Sequence, residues 1–570
     1  MAYFLRKTKR NNDLYLQICE TTYNKETKKS SNKNVQVLGY LSDLKLKISN
    51  PIDYFNNVVK ELNEESKLEK QLKVSCNQPV TKNIGYFLIK ALLNTLNVKR
   101  DLDLMGIGYK YEKDISTFLE TMIYCQIVKP SSKLKNAKDI IPSLYGLENF
   151  SEDQIYRMIN FLGSNYKKYI ELFNAHIEKT FKRNYNQLYF DCTNYYFEID
   201  LPKEDKQKGP SKENRKEPII GQALLLDGNQ IPLCMEMYPG NESEKPYIRK
   251  LIEEMKTKCN IEGRTIQVAD KGLNCAKNIY FAAKEARDGY IFSKSVQGKN
   301  LSKTEKVWVL LDDEEANKWT TITDSKGKVL YKFKSCIDTF DYSFIDDNGE
   351  EIKFKAKEKR VVSFNPELAR KQICEIDKQI ERIVKLNTLK GLKRTEYGDA
   401  VKYVKFKNGK EDIKITPTLD LEAIKEAKRF AGYNLIVTSE VNLDPQKIYS
   451  IYHGLWRIEE SFRITKSYLQ ARPVYLQTRE SIYGHFLICY LSLVLLRLLE
   501  FNVFSNELNS SDLVKFIRNF SITQIEKDKF ISNILNTNIL QTVKKVTQIL
   551  TLDNLYLTSK NIEKLLNYEF

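Results

Sequence analysis

Hydrophobic residues near the N-terminus follow the two-residue period of a β-strand. Leu14, Leu16 and Ile18 alternate with other residues, and residues 35–38 partly repeat the pattern after a polar, Lys-rich connector at residues 24–34. Successive side chains of a strand point to opposite faces, so alternation on both sides of a polar connector is typical of a β-hairpin. We therefore predict a β-hairpin region within residues 1–50.

From residue 53 to about residue 183 the apolar positions recur three and four residues apart, which predicts a helical domain. The predicted helices span residues 85–98, 115–128, 152–162 and 166–181. Ser151 and Gln154 have the spacing of a capping box at the start of the third helix. The sequence of this domain shows no catalytic residue pattern, so its expected role is recognition or packing.

At residue 187 the pattern changes to short apolar runs bounded by turn residues. Residues 188–190, 219–226 and 231–237 predict three consecutive strands, with an Asp-Gly-Asn-Gln turn between the last two. A helix to about residue 258, a strand at 265–269, a helix at 275–287 and a strand at 290–292 follow. This order predicts an α/β fold with a mixed sheet of the ribonuclease H type.

A strand-rich insertion is predicted to interrupt that sheet. Within it, the expected strands lie at residues 307–311, 329–334, 342–345, 403–407 and 413–416, and a helix lies at 366–385. A strand at 433–438 and a helix at 451–468 then return to the sheet. The predicted regions are the N-terminal hairpin (1–50), the helical domain (51–185), the first part of the core (186–299), the insertion (300–430), the second part of the core (431–500) and a helical C-terminal region (501–570).

The cysteine pattern and the apolar runs bear on compartment. The ten cysteines are scattered, and there are only three histidines, which argues against a zinc site or a disulfide scaffold and predicts a reducing cytoplasm. The first residues lack the apolar segment of a signal peptide. The longest apolar run, residues 482–499, contains His485 and Arg497, so we predict a buried core helix and no membrane association.

Net charge favours a polyanionic partner. Lys and Arg total 91 against 74 acidic residues, for a net charge of +17 and a pI near 9.1. Such a balance raises the expectation of DNA binding, for which the helical domain is a candidate, although many basic proteins bind no nucleic acid. The lysines of the hairpin connector either touch DNA phosphates or are only solvated: Lys25, Lys28, Lys29 and Lys33.

Three carboxylates are candidates for metal binding and catalysis. Asp191 and Asp270 each end a predicted apolar strand, and Glu459 lies on the predicted helix 451–468. Taken singly, such an aspartate is more often a turn residue or a helix cap. Together they would supply the hard oxygen ligands that Mg²⁺, or alternatively Mn²⁺, needs for two-metal phosphoryl transfer.

Charged residues of helix 451–468 recur at helical spacing around Glu459. Tyr452, Arg463 and Lys466 share its predicted face at 3.6 residues per turn. The alternative is an ordinary solvated amphipathic helix. Trp456 and Phe462 are interpreted as core residues, with stacking of Trp456 on a DNA base as the alternative.

Several ordered blocks resemble DDE insertion-sequence transposases of the group whose Glu region reads Tyr, two residues, Arg, three residues, Glu, six residues, Lys. Tyr452, Glu459 and Lys466 fall in that register, and the similarity spans about residues 187–496. Match at several ordered blocks is more specific than a lone motif. The other blocks are Ser211-Lys212-Glu213-Asn214-Arg215, Leu226-Asp227, Pro232-Leu233, Gly240-Asn241-Glu242-Ser243 and Asp270-Lys271-Gly272.

The resemblance implies a function. Asp191, Asp270 and Glu459 would be the metal-binding catalytic residues of an enzyme that binds its element's terminal inverted repeats, cleaves there with water, and joins a DNA 3′-hydroxyl to the other strand or to target DNA. A homodimer on DNA, a cytoplasmic, nucleoid-associated location and a strand-rich insertion before the Glu follow from it. The expected DNA contacts are Tyr452, Arg463, Lys466 and Arg457.

One position departs from the motif. Its arginine falls on Leu455, so a cation is missing; Arg457 lies about 200° around the helix and cannot simply replace it, whereas Arg463 has the correct face. Either the position is dispensable or this copy is impaired. The rival functions are a nuclease of the same fold that cuts without joining, and a retired transposase that only binds DNA.

Overall fold

The computed structural model describes most of the chain, and the structure below refers to these residues: 2–10, 13–24, 29–71, 81–109, 114–213, 216–259, 261–296, 301–310, 319–387, 394–406 and 417–570.

The N-terminal region is a three-stranded antiparallel sheet, in the order β1-β2-β3, rather than a single hairpin. Its strands run past the apolar alternation because backbone pairing continues through polar pairs such as Glu20 with Lys33. Lys29 and Lys33 therefore lie in a strand, while Lys25 and Lys28 lie outside the described residues. The elements are β1 (Ala2–Arg10), β2 (Asp13–Asn24), β3 (Lys29–Tyr40), α1 (Leu41–Lys45) and α2 (Pro51–Gln71).

The predicted helices of the next region are confirmed. Ser151 accepts a hydrogen bond from the Gln154 backbone, and the Gln154 side chain accepts one from Ser151, which completes the predicted capping box. The elements are β4 (Thr81–Asn83), α3 (Phe87–Leu96), α4 (Lys99–Met105), α5 (Ile115–Val128), α6 (Lys133–Lys135), α7 (Glu152–Ser164) and α8 (Tyr166–Phe181), with a π turn at Asn136–Ile140 and a 3₁₀ turn at Ile141–Ser143.

The predicted strands of the core are also found. The elements are β5 (Gln187–Tyr196), β6 (Ile219–Leu226), β7 (Pro232–Pro239), α9 (Lys245–Lys258), β8 (Ile266–Ala269), α10 (Ala276–Tyr280) and β9 (Gly289–Lys294), with a 3₁₀ turn at Lys271–Leu273 and a π turn at Phe281–Glu285. β5, β6 and β7 are antiparallel neighbours, whereas β8 runs parallel to both β5 and β9.

Residues 300–430 depart from the prediction at two places. The strands expected at 329–334 and 342–345 are one continuous strand, Val329–Ile345, because residues 332–345 pair without a break with Glu351–Phe364. The expected strand at 307–311 is instead a helix over Lys303–Val309, because Ser302 and Glu305 form a capping box that starts a helix despite the β-branched residues. Residues 413–416 lie outside the described residues. The elements are α11 (Lys303–Val309), β10 (Thr320–Thr323), β11 (Val329–Ile345), β12 (Glu351–Phe364), α12 (Pro366–Asn387), a 3₁₀ segment at Arg394–Tyr403, β13 (Val404–Phe406), β14 (Pro417–Leu419) and α13 (Leu421–Arg429).

The core then resumes, and the insertion strands join its sheet. The elements are β15 (Tyr433–Thr438), α14 (Pro445–His453), α15 (Trp456–Arg463) and α16 (Arg479–Leu498), with π turns at Ile464–Tyr468 and Leu499–Val503. Among the described residues, six strands of the core and three strands of the insertion form one nine-stranded mixed sheet in the order β10-β11-β12-β15-β9-β8-β5-β6-β7, and β13 pairs only with β14. The insertion therefore widens the sheet through β12 and β15, which pair antiparallel, rather than merely interrupting it.

Helix α16 passes through the centre of the core. It forms the single helix among the described residues, Arg479–Val503 with its π turn, that is long and apolar enough to span a membrane, and 83% of that apolar window is buried inside the protein. Arg497 is fully buried and donates to the carboxylates of Glu460 and Glu500. A core helix with a paired buried arginine matches the prediction for this run.

The C-terminal region is not entirely helical, which corrects the prediction. Three short strands and β4 form a four-stranded sheet in the order β18-β17-β16-β4. Strands this short carry little alternation, and β4 comes from a segment more than 400 residues away. They are specified by this pairing and by the apolar side chains Ile522, Phe530 and Leu557, which they bury in the main core. The elements are α17 (Ser510–Asn519), β16 (Ser521–Glu526), β17 (Lys529–Ser532), α18 (Asn538–Thr547), β18 (Tyr556–Thr558) and α19 (Ser559–Leu566).

Candidate active site

Two of the predicted carboxylates are brought together by parallel pairing. Phe190 of β5 lies opposite Ala269 of β8, so Asp191 and Asp270 occupy the next position of each chain. Asp270 follows the end of its strand as predicted, but Asp191 does not end β5. β5 continues to Tyr196 because its other edge keeps pairing with β6.

Tyr452 is placed directly on one of these carboxylates. Its hydroxyl donates a hydrogen bond of 3.0 Å to Asp270 Oδ1. Burial raises the pKa of the Tyr452 phenol, and the charge of Asp270 raises it further, so the hydroxyl remains protonated and can donate. Helix α14 approaches the sheet closely here, since a Cβ on Gly454 would lie 2.7 Å from the Tyr189 hydroxyl oxygen.

Glu459, on α15, interacts electrostatically with the same group of side chains. Its side chain reaches solvent. Partial burial nevertheless raises the pKa of its carboxyl, the charge of Asp270 adds to the rise, and Lys212 opposes it. The electrostatic coupling to Asp270 and Lys212 indicates that the third predicted carboxylate shares the site with the first two.

Lys212 lies among the acidic side chains. Its Nζ is 3.5 Å from Asp191 Oδ1 and 3.7 Å from Glu244 Oε2, and it donates a hydrogen bond to the carbonyl of Cys192. Burial lowers the pKa of the Lys212 ammonium, but the charges of Asp191 and Glu244 outweigh it and raise that pKa above its ordinary value. Lys212 therefore balances the charge of the acidic site as the protein stands.

The charge on Asp191 is only partly compensated. Burial raises the pKa of its carboxyl to about 6; Lys212 lowers it, whereas the charges of Glu244 and Asp270 raise it. Neither Glu244 nor Lys212 is among the site residues predicted from the sequence. The one signal in the sequence was that Lys212 lies in a block similar to transposases, and Glu244 directly follows another.

The donor set fits a hard divalent cation in its chemistry. Asp191, Asp270 and Glu459 offer carboxylate oxygens, which Mg²⁺ prefers, and a cation would relieve the repulsion that the Asp270 charge exerts on the other two carboxylates. Within the described part of the chain, no three Asp, Glu, His or Cys side chains form a ready-made metal site. The three carboxylates therefore interact electrostatically without forming a closed cage among the described residues.

The segment predicted as a single helix, 451–468, is divided into three shorter helical segments. α14 ends at His453, α15 starts at Trp456, and a π turn covers Ile464–Tyr468. Leu455, at the joint, is 7% exposed and packs in the main hydrophobic core. An arginine at that position would have to enter the core, which explains the apolar residue locally.

Arg463 and Lys466, two of the other predicted DNA contacts, differ in their exposure and in their ion-pair partners. Arg463 is 61% exposed and lies 3.3 Å from Glu460. Lys466 is mostly buried, and its Nζ lies 3.1 Å from Glu213 Oε1. Burial lowers the pKa of the Lys466 ammonium, whereas Glu213 raises it, and the net shift is downward.

Arg457 lies in an ion network on the side of α15 next to α16. Its Nη1 is 3.5 Å from Glu460 and 3.7 Å from Glu500, and its guanidinium stacks 3.9 Å from the Trp456 ring centroid. Glu460 also accepts a hydrogen bond from the buried Arg497, so it is engaged away from Asp270. Trp456 is 49% exposed, which makes its prediction as a core residue wrong, whereas Phe462 is buried as predicted.

Comparison with known proteins gives two findings. Residues 180–495 match the family model described as "Transposase DDE domain". A solved cryo-EM structure of a piggyBac transposase synaptic complex with hairpin DNA is similar at 11% identity, covering 76% of this chain and 78% of that chain, with a TM-score of 0.35. No curated protein matches the sequence.

Proposed function

The chain belongs to the DDE transposase family and is a DNA transposase, and from this premise we propose that Asp191, Asp270 and Glu459 are its catalytic residues. The observation that carries the assignment is the parallel register that sets Asp191 beside Asp270, with Glu459 coupled electrostatically to Asp270.

Strand order supports the ribonuclease H-like arrangement expected for this core. Three antiparallel strands, β7, β6 and β5, are followed by β8 and β9, which run parallel to β5. Asp191 and Asp270 then lie where β5 and β8 are neighbours, beside the change from the antiparallel to the parallel part of the sheet. A ligand can reach side chains at that position, as at other switches of strand order.

The proposed reaction uses the three carboxylates to hold divalent metal, Mg²⁺ in the first instance, which supplies Lewis acidity for attack on a phosphodiester. Tyr452 orients Asp270 by donating to Oδ1. Lys212 balances the carboxylates before substrate arrives. Arg463 and Lys466 are proposed to contact phosphates, and Arg457, which is held in an ion network, is the weakest of the proposed DNA contacts.

The biological setting follows as part of the proposal. The protein would bind the terminal inverted repeats of an insertion sequence in the cytoplasm, as a homodimer on DNA, and would cut and then join DNA ends. The motif group with Tyr, Glu and Lys at positions 452, 459 and 466 is part of the same proposal. Leu455, being in the core, suggests a dispensable motif position rather than an impaired copy.

The test is cleavage of a plasmid that carries the gene with its flanking DNA. Asp191→Asn, Asp270→Asn and Glu459→Gln should each abolish Mg²⁺-dependent cleavage while DNA binding persists, because each removes one charged metal ligand. Glu198→Gln and Asp200→Asn, exposed residues just beyond β5, serve as matched controls and should cut normally.

Two outcomes would contradict the proposal. Wild-type cleavage by the Glu459 variant would show that another residue is the ligand. Nicked or cut products without joined products, from the wild-type protein with both DNA ends present, would favour the nuclease.

A further inference from the structure

Two cations converge on one carboxylate next to the proposed active site. Lys466 Nζ lies 3.1 Å from Glu213 Oε1, and Arg472 Nη1 donates to Glu213 Oε2. Both cations are partly buried, at 17% and 25% side-chain exposure. The forked anion of Glu213 is thus held from two sides, and its pKa is lowered: burial raises it, but the hydrogen bonds from Arg472 and Lys466 prevail.

Aromatic rings at the end of β5 line the same place. The Lys466 ammonium lies 5.4 Å from the Tyr195 ring centroid, and the Arg472 guanidinium lies 5.2 Å from that of Tyr196. Tyr195 is four residues beyond Asp191, or roughly 13 Å along the strand. That distance corresponds to about four base-pair steps of duplex DNA, so a strand entering the active site would pass these cations.

We propose that Lys466 and Arg472 form a phosphate-binding site for the DNA backbone, and that Glu213 occupies this site when no DNA is bound. The proposal rests on the proposed transposase function. Carboxylate and phosphate present similar forked oxygens to an arginine, so one can replace the other in the same place. Binding of DNA then requires Glu213 to leave.

The neighbouring residue couples this exchange to the acidic site. Lys212, adjacent to Glu213 in the chain, forms ion pairs with Asp191 and Glu244. The Lys212–Glu213 pair therefore places a positive charge among the carboxylates and a negative charge between the cations. The Lys212 charge has the sign of the metal ion that would bind among the carboxylates. The Glu213 charge has the sign of the phosphate that would bind between the two cations.

One of the two cations, Arg472, also borders a cavity. Arg472 lines a cavity of about 550 Å³ together with Lys135, Tyr156 and Tyr475. Tyr475 is 68% exposed and Tyr156 is 37% exposed, although both are large aromatic residues. A DNA strand that continues past Arg472 would meet another cation and two rings, which is the composition of a nucleic-acid surface.

The experiment measures the affinity of the full-length protein for a labelled duplex of about 30 base pairs in EDTA, over a series of salt concentrations. Glu213→Gln should bind DNA about three- to tenfold more tightly, because the internal competitor is gone. Arg472→Gln should bind about tenfold more weakly, with a salt slope lower by about one. The double variant should lose the gain of Glu213→Gln.

Matched variants of the same loop and a conservative variant control for charge and folding. Glu204→Gln changes the net charge by as much as Glu213→Gln, and Lys208→Gln by as much as Arg472→Gln. Both are exposed residues of the loop, and we expect affinities within about twofold of wild type. Arg472→Lys keeps the charge and should keep the salt slope. Unchanged or weaker binding by Glu213→Gln, or an unchanged slope in Arg472→Gln, would overturn the proposal.

This outcome is separable from the assignment of the catalytic residues. Binding is measured without metal, so it does not depend on cleavage. If the Asp191, Asp270 and Glu459 variants lose cleavage but Glu213→Gln fails to gain affinity, only the phosphate site is wrong. If Glu213→Gln gains affinity while those variants still cut, only the catalytic assignment is wrong.

Discussion

Asp191 combines two demands that oppose each other. It must be ionised to hold a metal ion, yet its side chain is about one-fifth exposed and lies beside Glu244 and Asp270. Its carboxyl pKa is raised to about 6, mainly by burial, and Lys212 only partly offsets this. The residue that the proposed chemistry needs is therefore one that weakens the metal-free fold.

The raised pKa predicts a specific pH dependence. Because the folded state holds this proton more tightly than the unfolded state, stability falls as pH rises from about 4 to about 6, by about 2–3 kcal/mol, and stays lower above that range. Asp191→Asn removes this loss, so in EDTA its free energy of unfolding should exceed that of wild type at pH 8 but not at pH 4.

Thermal or chemical unfolding at both pH values checks the prediction. Asp139→Asn, an exposed residue, is the control and should follow wild type at each pH. An Asp191→Asn variant that is less stable than wild type at pH 8 would contradict this prediction. It would show that the ion pair with Lys212 stabilises the folded state by more than burial of the Asp191 carboxylate destabilises it.

At the scale of elements, the helical region is held against the core by a close helix contact. A Cβ on Gly163 of α7 would overlap the carbonyl of Glu480, and one on Gly484 of α16 would overlap the carbonyl of Ile159. The two helices thus meet backbone to backbone, through two glycines. Neither glycine has a turn or a left-handed backbone to explain it, so the contact is the reason for both.

Gly163→Ala should therefore destabilise the protein. The added methyl group meets backbone that cannot move aside easily, and we expect a cost of at least about 2–3 kcal/mol. The melting temperature measures it, with Ser164→Ala, at the exposed end of the same helix, as the control that should change little. Equal melting temperatures for the two variants would mean that the helices can separate at no cost.

At the scale of the whole molecule, the site is an assembly of distant segments. Asp191 and Asp270 come from neighbouring parallel strands, Glu459 comes from a helix reached only after the insertion, and Lys212 comes from the loop after β5. Each segment contributes one charge. A metal ion bound there would connect the three carboxylates, although not the Lys212 ammonium, and would stabilise the folded state as a whole.

Mg²⁺ should accordingly raise the melting temperature of the DNA-free protein. A concentration a hundred times the dissociation constant corresponds to about 2.7 kcal/mol of added stability. Asp270→Asn should reduce the shift strongly, since one ligand is lost, whereas Asp200→Asn should preserve it. A full shift in Asp270→Asn, measured by differential scanning calorimetry with and without EDTA, would place the ion elsewhere.

The sequence by itself determined the elements whose pattern is local. The four helices from residue 85 to 181, the Ser151 cap, the order of the core strands and the buried helix around residues 482–499 all follow from periodicity and capping. The three acidic residues were also selected from the sequence, because Asp191 and Asp270 follow apolar runs and the ordered blocks mark Asp270 and Glu459.

Only the tertiary structure decided which residues meet. The joint at Leu455, the merging of the insertion strands with the core sheet, the pairing of β4 with β16, and the positions of Lys212, Glu244 and Arg472 depend on contacts between segments far apart in the chain. Such contacts leave no periodic signal, because one charge or one short strand is specified by its partner and not by its neighbours in sequence.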